Sequence, residues 1–211
     1  MANLGRINRP EVSSFKAGRR LLVVNIIGNL SVTDKEKKTK FEGKLAQYWN
    51  QIKSQISGLS KKLGKVGKIF HEYISKDKQE GLNQLEKLDK NAHSIVKELV
   101  DEGAAFYGIE DENLLNELRD WQRCMMSGLS SFSVQEKVLS ELRDVAQKRD
   151  EFMKKRLGEL IEEDGTSLIF VTNSKQFKFP ETVETFFIEP PALDDISVMI
   201  KEFYADYDKK E

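Results

Sequence analysis

The chain has 211 residues, with 34 Lys+Arg against 35 Asp+Glu, two His and one Cys. A 39% apolar share that includes 12 Phe can fill a core, which excludes wholesale disorder. One cysteine excludes an internal disulfide and a cysteine-cluster zinc site, two histidines exclude a His-rich metal centre, and no apolar run reaches the roughly 20 residues of a membrane span.

The near-balanced charge hides an asymmetry. Residues 1–78 carry 17 basic and 6 acidic side chains, a net of +11, and residues 79–211 carry 17 and 29, a net of −12. Such a split points either to a polyanionic or acidic partner for the basic third, or to neutralisation of one part by the other within a single fold.

Residues Met1–Gly18 are polar and aperiodic and read as an N-terminal arm. Residues 19–211 read as one α/β domain. The apolar stretch Leu21–Leu30 after Arg19 and Arg20 has a passing likeness to a secretion signal. Asn25 interrupts it and about twenty polar residues precede it, so the β-branched run Leu21–Ile27 reads as a buried strand. The lone thiol and the poor signal layout place the chain in the cytoplasm.

Ser31–Lys40 reads as a charged loop. Phe41, Leu45, Tyr48, Trp49, Ile52, Ile56, Leu59 and Leu63 then mark one face of a helix that Gly64 ends. Val66–Ile74 is a second strand, with Ile69, His71 and Tyr73 on one face and Phe70, Glu72 and Ile74 on the other. One helix is expected from Leu82 to Leu99, then a short strand at Ala104–Ile109.

A helix over Asn113–Met126, a linker at Ser127–Ser133 and a long helix opened by a Ser133/Glu136 capping box come next. The span 111–162 is thus a candidate projecting helical pair. Strands at Ser167–Val171 and Glu184–Ile188 flank a Phe-rich turn or edge segment, and a helix follows Pro190 and Pro191. Strands alternating with helices imply a mostly parallel sheet of about five strands, covered on both faces and rich in helix.

Ligands of such sheets collect beyond the carboxyl ends of the strands, where His71, Glu72, Glu110 and Asp111 fall. Arg149 occupies an apolar-stripe position between Ala146 and Phe152. A guanidinium cannot shed its proton, so if buried it requires an anion, and Glu72, Glu110 or Asp111 is suited to supply one. The bland alternative is that its head snorkels to the helix edge. Cys124 reads as a small buried hydrophobe.

Arg19, Arg20, Lys61, Lys62, Lys65 and Lys68 are the candidate anion-binding set, although bases at a helix C-terminus are favoured in any case. There is no P-loop and no GxGxxG, hence no support for a nucleotide cofactor.

The layout resembles the superfamily of TraB, Tiki-type proteases and erythromycin esterases. Gly67 to His71 with Glu72 stand for an early strand's glycine–histidine motif, and Glu110 and Asp111 for acidic residues after a later strand. Arg149, Asp150 and Met153 stand for a helix motif, and Leu168–Val171 for a late strand. The second histidine is missing, its place being Thr172-Asn173-Ser174-Lys175. The resemblance implies metal-assisted hydrolysis with part of the site absent.

Three expectations follow. The first is a binding or interaction domain that uses the basic N-terminal third against an acidic protein partner or a second copy. The second is a hydrolase in which His71, Glu72, Glu110, Asp111 and Arg149 form the centre, a divalent metal belonging to this case alone. The third, RNA or ribosome binding, rests on charge. No membrane association is expected.

Overall fold

A computed structural model describes residues 18–28 and 34–207. Residues 1–17 of the N-terminal arm and 31–33 of the Ser31–Lys40 loop lie outside the described residues. The elements are β1 (Arg19–Asn25), α1 (Lys35–Leu63), β2 (Val66–His71), α2 (Lys78–Leu88), α3 (Lys90–Asp101) and β3 (Ala105–Gly108). After these come α4 (Glu112–Met126), α5 (Phe132–Leu160), β4 (Gly165–Val171), β5 (Glu184–Ile188) and α6 (Ala192–Tyr207).

The strands form one sheet in the order β3-β2-β4-β1-β5, and every pairing is parallel. Side chains alternate along the strands, so each strand feeds two cores. Leu22, Val24, Ile69, Leu168 and Phe170 face α1, α2, α3 and α6. Leu21, Val23, Phe70, Ile169 and Val171 face Met153, Leu157 and Ile161 at the end of α5. Burial on both sides explains why the strands are continuous apolar runs.

α1 begins earlier than its apolar stripe, because the Asp34 side chain accepts the Lys37 amide at 3.0 Å and caps the helix. The charged residues 35–40, expected in a loop, therefore make its exposed first turns. The helix expected from Leu82 to Leu99 is two helices. Asp89 interrupts it in an extended conformation, and its carboxylate accepts the amides of Asn91 and Ala92 to cap α3. The Phe-rich residues 176–180 form no strand: they leave a turn at 174–176 and run on as irregular chain.

α4 and the first half of α5 bury Leu115, Leu118, Val138 and Val145, which join neither sheet-face core. The hairpin between them exposes Met126 and Phe132 at its tip, and Cys124, expected to be buried, is exposed too. Among the described residues no helix is long and apolar enough to cross a membrane.

Adjacent strands β2 and β4 send their outgoing connections to opposite faces. Residues after β2 enter the core of α1 through Leu82 and Leu85, whereas Phe177, Phe179 and Val183 after β4 pack on the α5 side. This divergence opens a crevice at the carboxyl edge of the sheet.

Candidate functional site

Registers bring the carboxyl ends of four strands level. Asn25 of β1 pairs with Val171 of β4, while His71 of β2 pairs with both Phe170 of β4 and Gly108 of β3. The loops leaving these ends are tied together. The Ile74 carbonyl accepts the amides of Ile109 and Glu110 at 2.9 and 3.1 Å, and Glu72 extends the ladder by donating its amide to the Phe170 carbonyl at 2.9 Å.

Arg149 lies inside this knot, 7% exposed, on the α5 side. Its Nε donates to Glu110 Oε2 at 2.9 Å, and its Nη2 donates to Glu72 Oε1 at 3.0 Å and also to Glu110 Oε1. The remaining capacity of the carboxylates goes to backbone. Glu110 Oε1 accepts the Tyr73 amide at 3.0 Å, and Glu72 Oε2 accepts the Thr172 amide at 2.6 Å. Burial opposes the charge of Arg149, but Glu110 first and Glu72 next outweigh it and hold its pKa above the usual arginine value.

The guanidinium also sits over the Tyr73 ring, 5.1 Å from its centroid. Tyr73 itself adopts φ +74, a conformation rare for a bulky side chain, and this bends the chain out of β2. The left-handed residue ends the strand alternation early. Ile74 therefore returns to the α1 side rather than sharing a face with Phe70. Thr172 Oγ1 donates to the Tyr73 hydroxyl at 3.2 Å. Burial, followed by the Glu72 charge, raises the Tyr73 pKa.

His71 faces the other way. Its ring stacks on Phe170 at 5.8 Å and is 1% exposed. Nδ1 contacts the Glu72 carbonyl oxygen, which can only accept, so Nδ1 carries the proton. Burial lowers the His71 pKa, despite opposing effects from that carbonyl, Asp89 and Glu72. The ring is consequently neutral at pH 7, with its lone pair on Nε2, and that buried atom has no partner among the described residues.

Beside His71 a cleft of about 730 Å³ opens at the carboxyl edge. Ile26, Ile27 and Gly28 after β1, Tyr73 after β2 and Thr172 after β4 form one wall. The break between α2 and α3 forms the other, from Lys87 to Asn91.

The five residues expected to form a hydrolytic centre therefore divide three ways. Arg149, Glu72 and Glu110 make a closed ion cluster, while His71 is displaced to the opposite face of the sheet. Asp111 is the N-cap of α4, its carboxylate accepting the amides of Asn113 and Leu114 at 2.8 and 3.1 Å. Among the described residues no group of three or more His, Cys, Asp or Glu side chains is placed to hold a metal ion.

The expected anion-binding bases gather at the opposite, amino edge of the sheet, and four of them meet helix ends. Arg19 donates to the carbonyls of Gly158 and Ile161 at the end of α5, and Lys68 to that of Leu160 at 2.8 Å. Arg20 donates to Leu63 at the end of α1 at 2.6 Å, and Lys65 to Glu102 after α3. These bases satisfy carbonyls that no intrahelical donor reaches, at the negative ends of three helix dipoles. Lys61 and Lys62 occupy the last turn of α1. Lys61 borders a 370 Å³ groove between α1 and α3 that Glu98 and Glu102 also line.

Sequence reasoning missed Tyr73, Thr172 and the α2–α3 break. The sequence Asp89-Lys90-Asn91 was the available signal, since Asp is a favoured N-cap. Comparison with protein-family models, curated proteins and solved structures gives no significant match.

Proposed function

We propose that the chain is a ligand-binding domain whose cleft at the carboxyl edge takes a small molecule. The observation that carries this reading is the neutral, buried His71, which lines a cleft of about 730 Å³ and whose Nε2 has no partner among the described residues. An unmet buried acceptor is costly, and a donor brought by a ligand relieves that cost. The cleft's size suits a small organic molecule.

In this reading Arg149 shapes the site without entering it. Through Glu72 and Glu110 it fixes the amides of Thr172 and Tyr73, both of which line the cleft. Support for the hydrolase expectation is weaker. Both carboxylates already serve Arg149 and backbone amides, and His71 is on the opposite face of the sheet from them. Support for an acidic partner at the basic third is reduced likewise, because Arg19, Arg20, Lys65 and Lys68 already serve helix ends. The single exposed thiol, Cys124, favours a reducing compartment, in keeping with a cytoplasmic location.

The test is a fragment screen read by NMR on histidine-labelled protein, repeated with Leu88→Trp, which places an indole on the cleft wall. The reading expects compounds that shift the His71 imidazole resonances in the wild type and do so less in the variant. No shift of His71 by any compound at millimolar concentration refutes it.

A second reading is favoured by the tip of the α4–α5 hairpin. Met126 is 87% and Phe132 73% exposed, within a run from Cys124 to Gln135 that has no charged residue. In a chain that is 33% charged, such a run suits a protein-docking surface. Met126→Ser with Phe132→Ser should abolish any concentration-dependent self-association. A wild type that stays monomeric to millimolar concentration removes the self-association form of this reading.

A further inference from the structure

We infer that the cleft selects small organic anions that also carry a neutral N–H or O–H donor; this inference rests on the ligand-binding reading above. The donor requirement comes from His71. Its Nδ1 proton is directed at the Glu72 carbonyl, which leaves Nε2 as a lone-pair acceptor 1% exposed with its residue. A carboxylate or phosphate oxygen set against that lone pair is repelled. A hydroxyl, amide or amine hydrogen is attracted, and it satisfies an atom that has no partner among the described residues.

The anion requirement comes from the opposite wall. Lys87 and Lys90 bracket the break between α2 and α3, and both line the cleft. Asp89 stands between them, and one of its carboxylate oxygens is engaged. Oδ1 accepts the Asn91 and Ala92 amides at 2.9 and 3.0 Å, at the positive end of the α3 dipole. Two ammonium groups thus stand against one carboxylate, and the wall carries a net positive charge. Ile26, Ile27 and Leu88 give the space between the two polar ends an apolar lining that suits a carbon framework.

Together these features define a ligand with a donor at one end, an apolar middle and an anionic group at the other. Lys87 and Lys90 are the only cations among the described residues that line the cleft, so the charged end must lie toward them and the donor end toward the floor. This fixes the ligand's polarity as well as its class.

Four probes of similar size separate the requirements: 3-hydroxybenzoate, which has both groups; benzoate, which lacks the donor; phenol, which lacks the anion; and 3-hydroxybenzylamine, which reverses the charge. Each is titrated into the full chain, following the His71 imidazole signals for a Kd. The inference expects 3-hydroxybenzoate to bind at least fivefold more tightly than the other three. The double variant Lys87→Gln/Lys90→Gln, altered only at exposed positions, should bring its Kd to within twofold of that of phenol. Equal or tighter binding of 3-hydroxybenzylamine, or equal binding of benzoate, overturns the ligand class and leaves the cleft as a binding site. Failure of all four probes, together with an empty fragment screen, overturns both.

Discussion

Replacing Arg149 with Met tests the architecture of the site. The substitution removes the cation and leaves Glu72 and Glu110, 7% and 4% exposed, facing one another without a counter-charge. Breaking a buried pair from one side costs about 3–5 kcal/mol, since the surviving charge remains desolvated. A domain of this size has a total stability on the order of 5–15 kcal/mol, so the variant should lose a large fraction of it.

Urea unfolding at pH 7.5 measures the loss. The triple variant Arg149→Met/Glu72→Gln/Glu110→Gln, which has no unpaired charge, should recover at least half the loss. A single-variant deficit below about 1 kcal/mol would show that the cluster is not held by charge in a dry interior.

Other outcomes follow from individual residues. Because burial lowers the His71 pKa below its ordinary 6.5, the folded state resists protonation that the unfolded chain accepts. The stability this residue contributes is complete above pH 6.5 and declines below it. Between pH 6.5 and 5.5 the wild type should lose stability more steeply than His71→Phe, by up to about 1.4 kcal/mol per pH unit; parallel curves would refute this. Gly108→Ala should destabilise by about 1–3 kcal/mol in urea unfolding, since an added Cβ would lie 2.5 Å from the Ser75 carbonyl carbon. A neutral result would mean that the β2–α2 loop is free to retreat. Cys124, being exposed, should react with a thiol reagent in the native protein at the rate seen after unfolding, and protection by a factor of ten or more would contradict its placement.

Much of the sheet was legible because both of its faces are buried. Runs such as Leu21–Val24 and Leu168–Val171 have no polar face to confuse with a helix, and helix-length segments between them forced parallel pairing. Arg149 was legible for a related reason, a permanent charge at an apolar-stripe position being a local contradiction that only an anion resolves. Its partners Glu72 and Glu110 were also named, since both fall where strands end. Their arrangement was not readable, because it depends on backbone amides of Tyr73 and Thr172 that any sequence would supply. The cleft was hidden for the same reason. Its walls come from a left-handed turn at Tyr73 and a helix break at Asp89, and the steady Leu82–Leu99 apolar period masked that break. The placement of the basic third was not readable from charge alone, since Arg19, Arg20, Lys65 and Lys68 answer helix ends that become neighbours only in the folded chain.

The most direct measurement is a crystal structure of the full chain soaked with 3-hydroxybenzoate. The account predicts density in the cleft beside β2, with the hydroxyl oxygen about 2.6–3.2 Å from His71 Nε2 and the carboxylate toward Lys87 and Lys90. A cleft filled by side chains of the chain itself, or a carboxylate seated against His71, would contradict it.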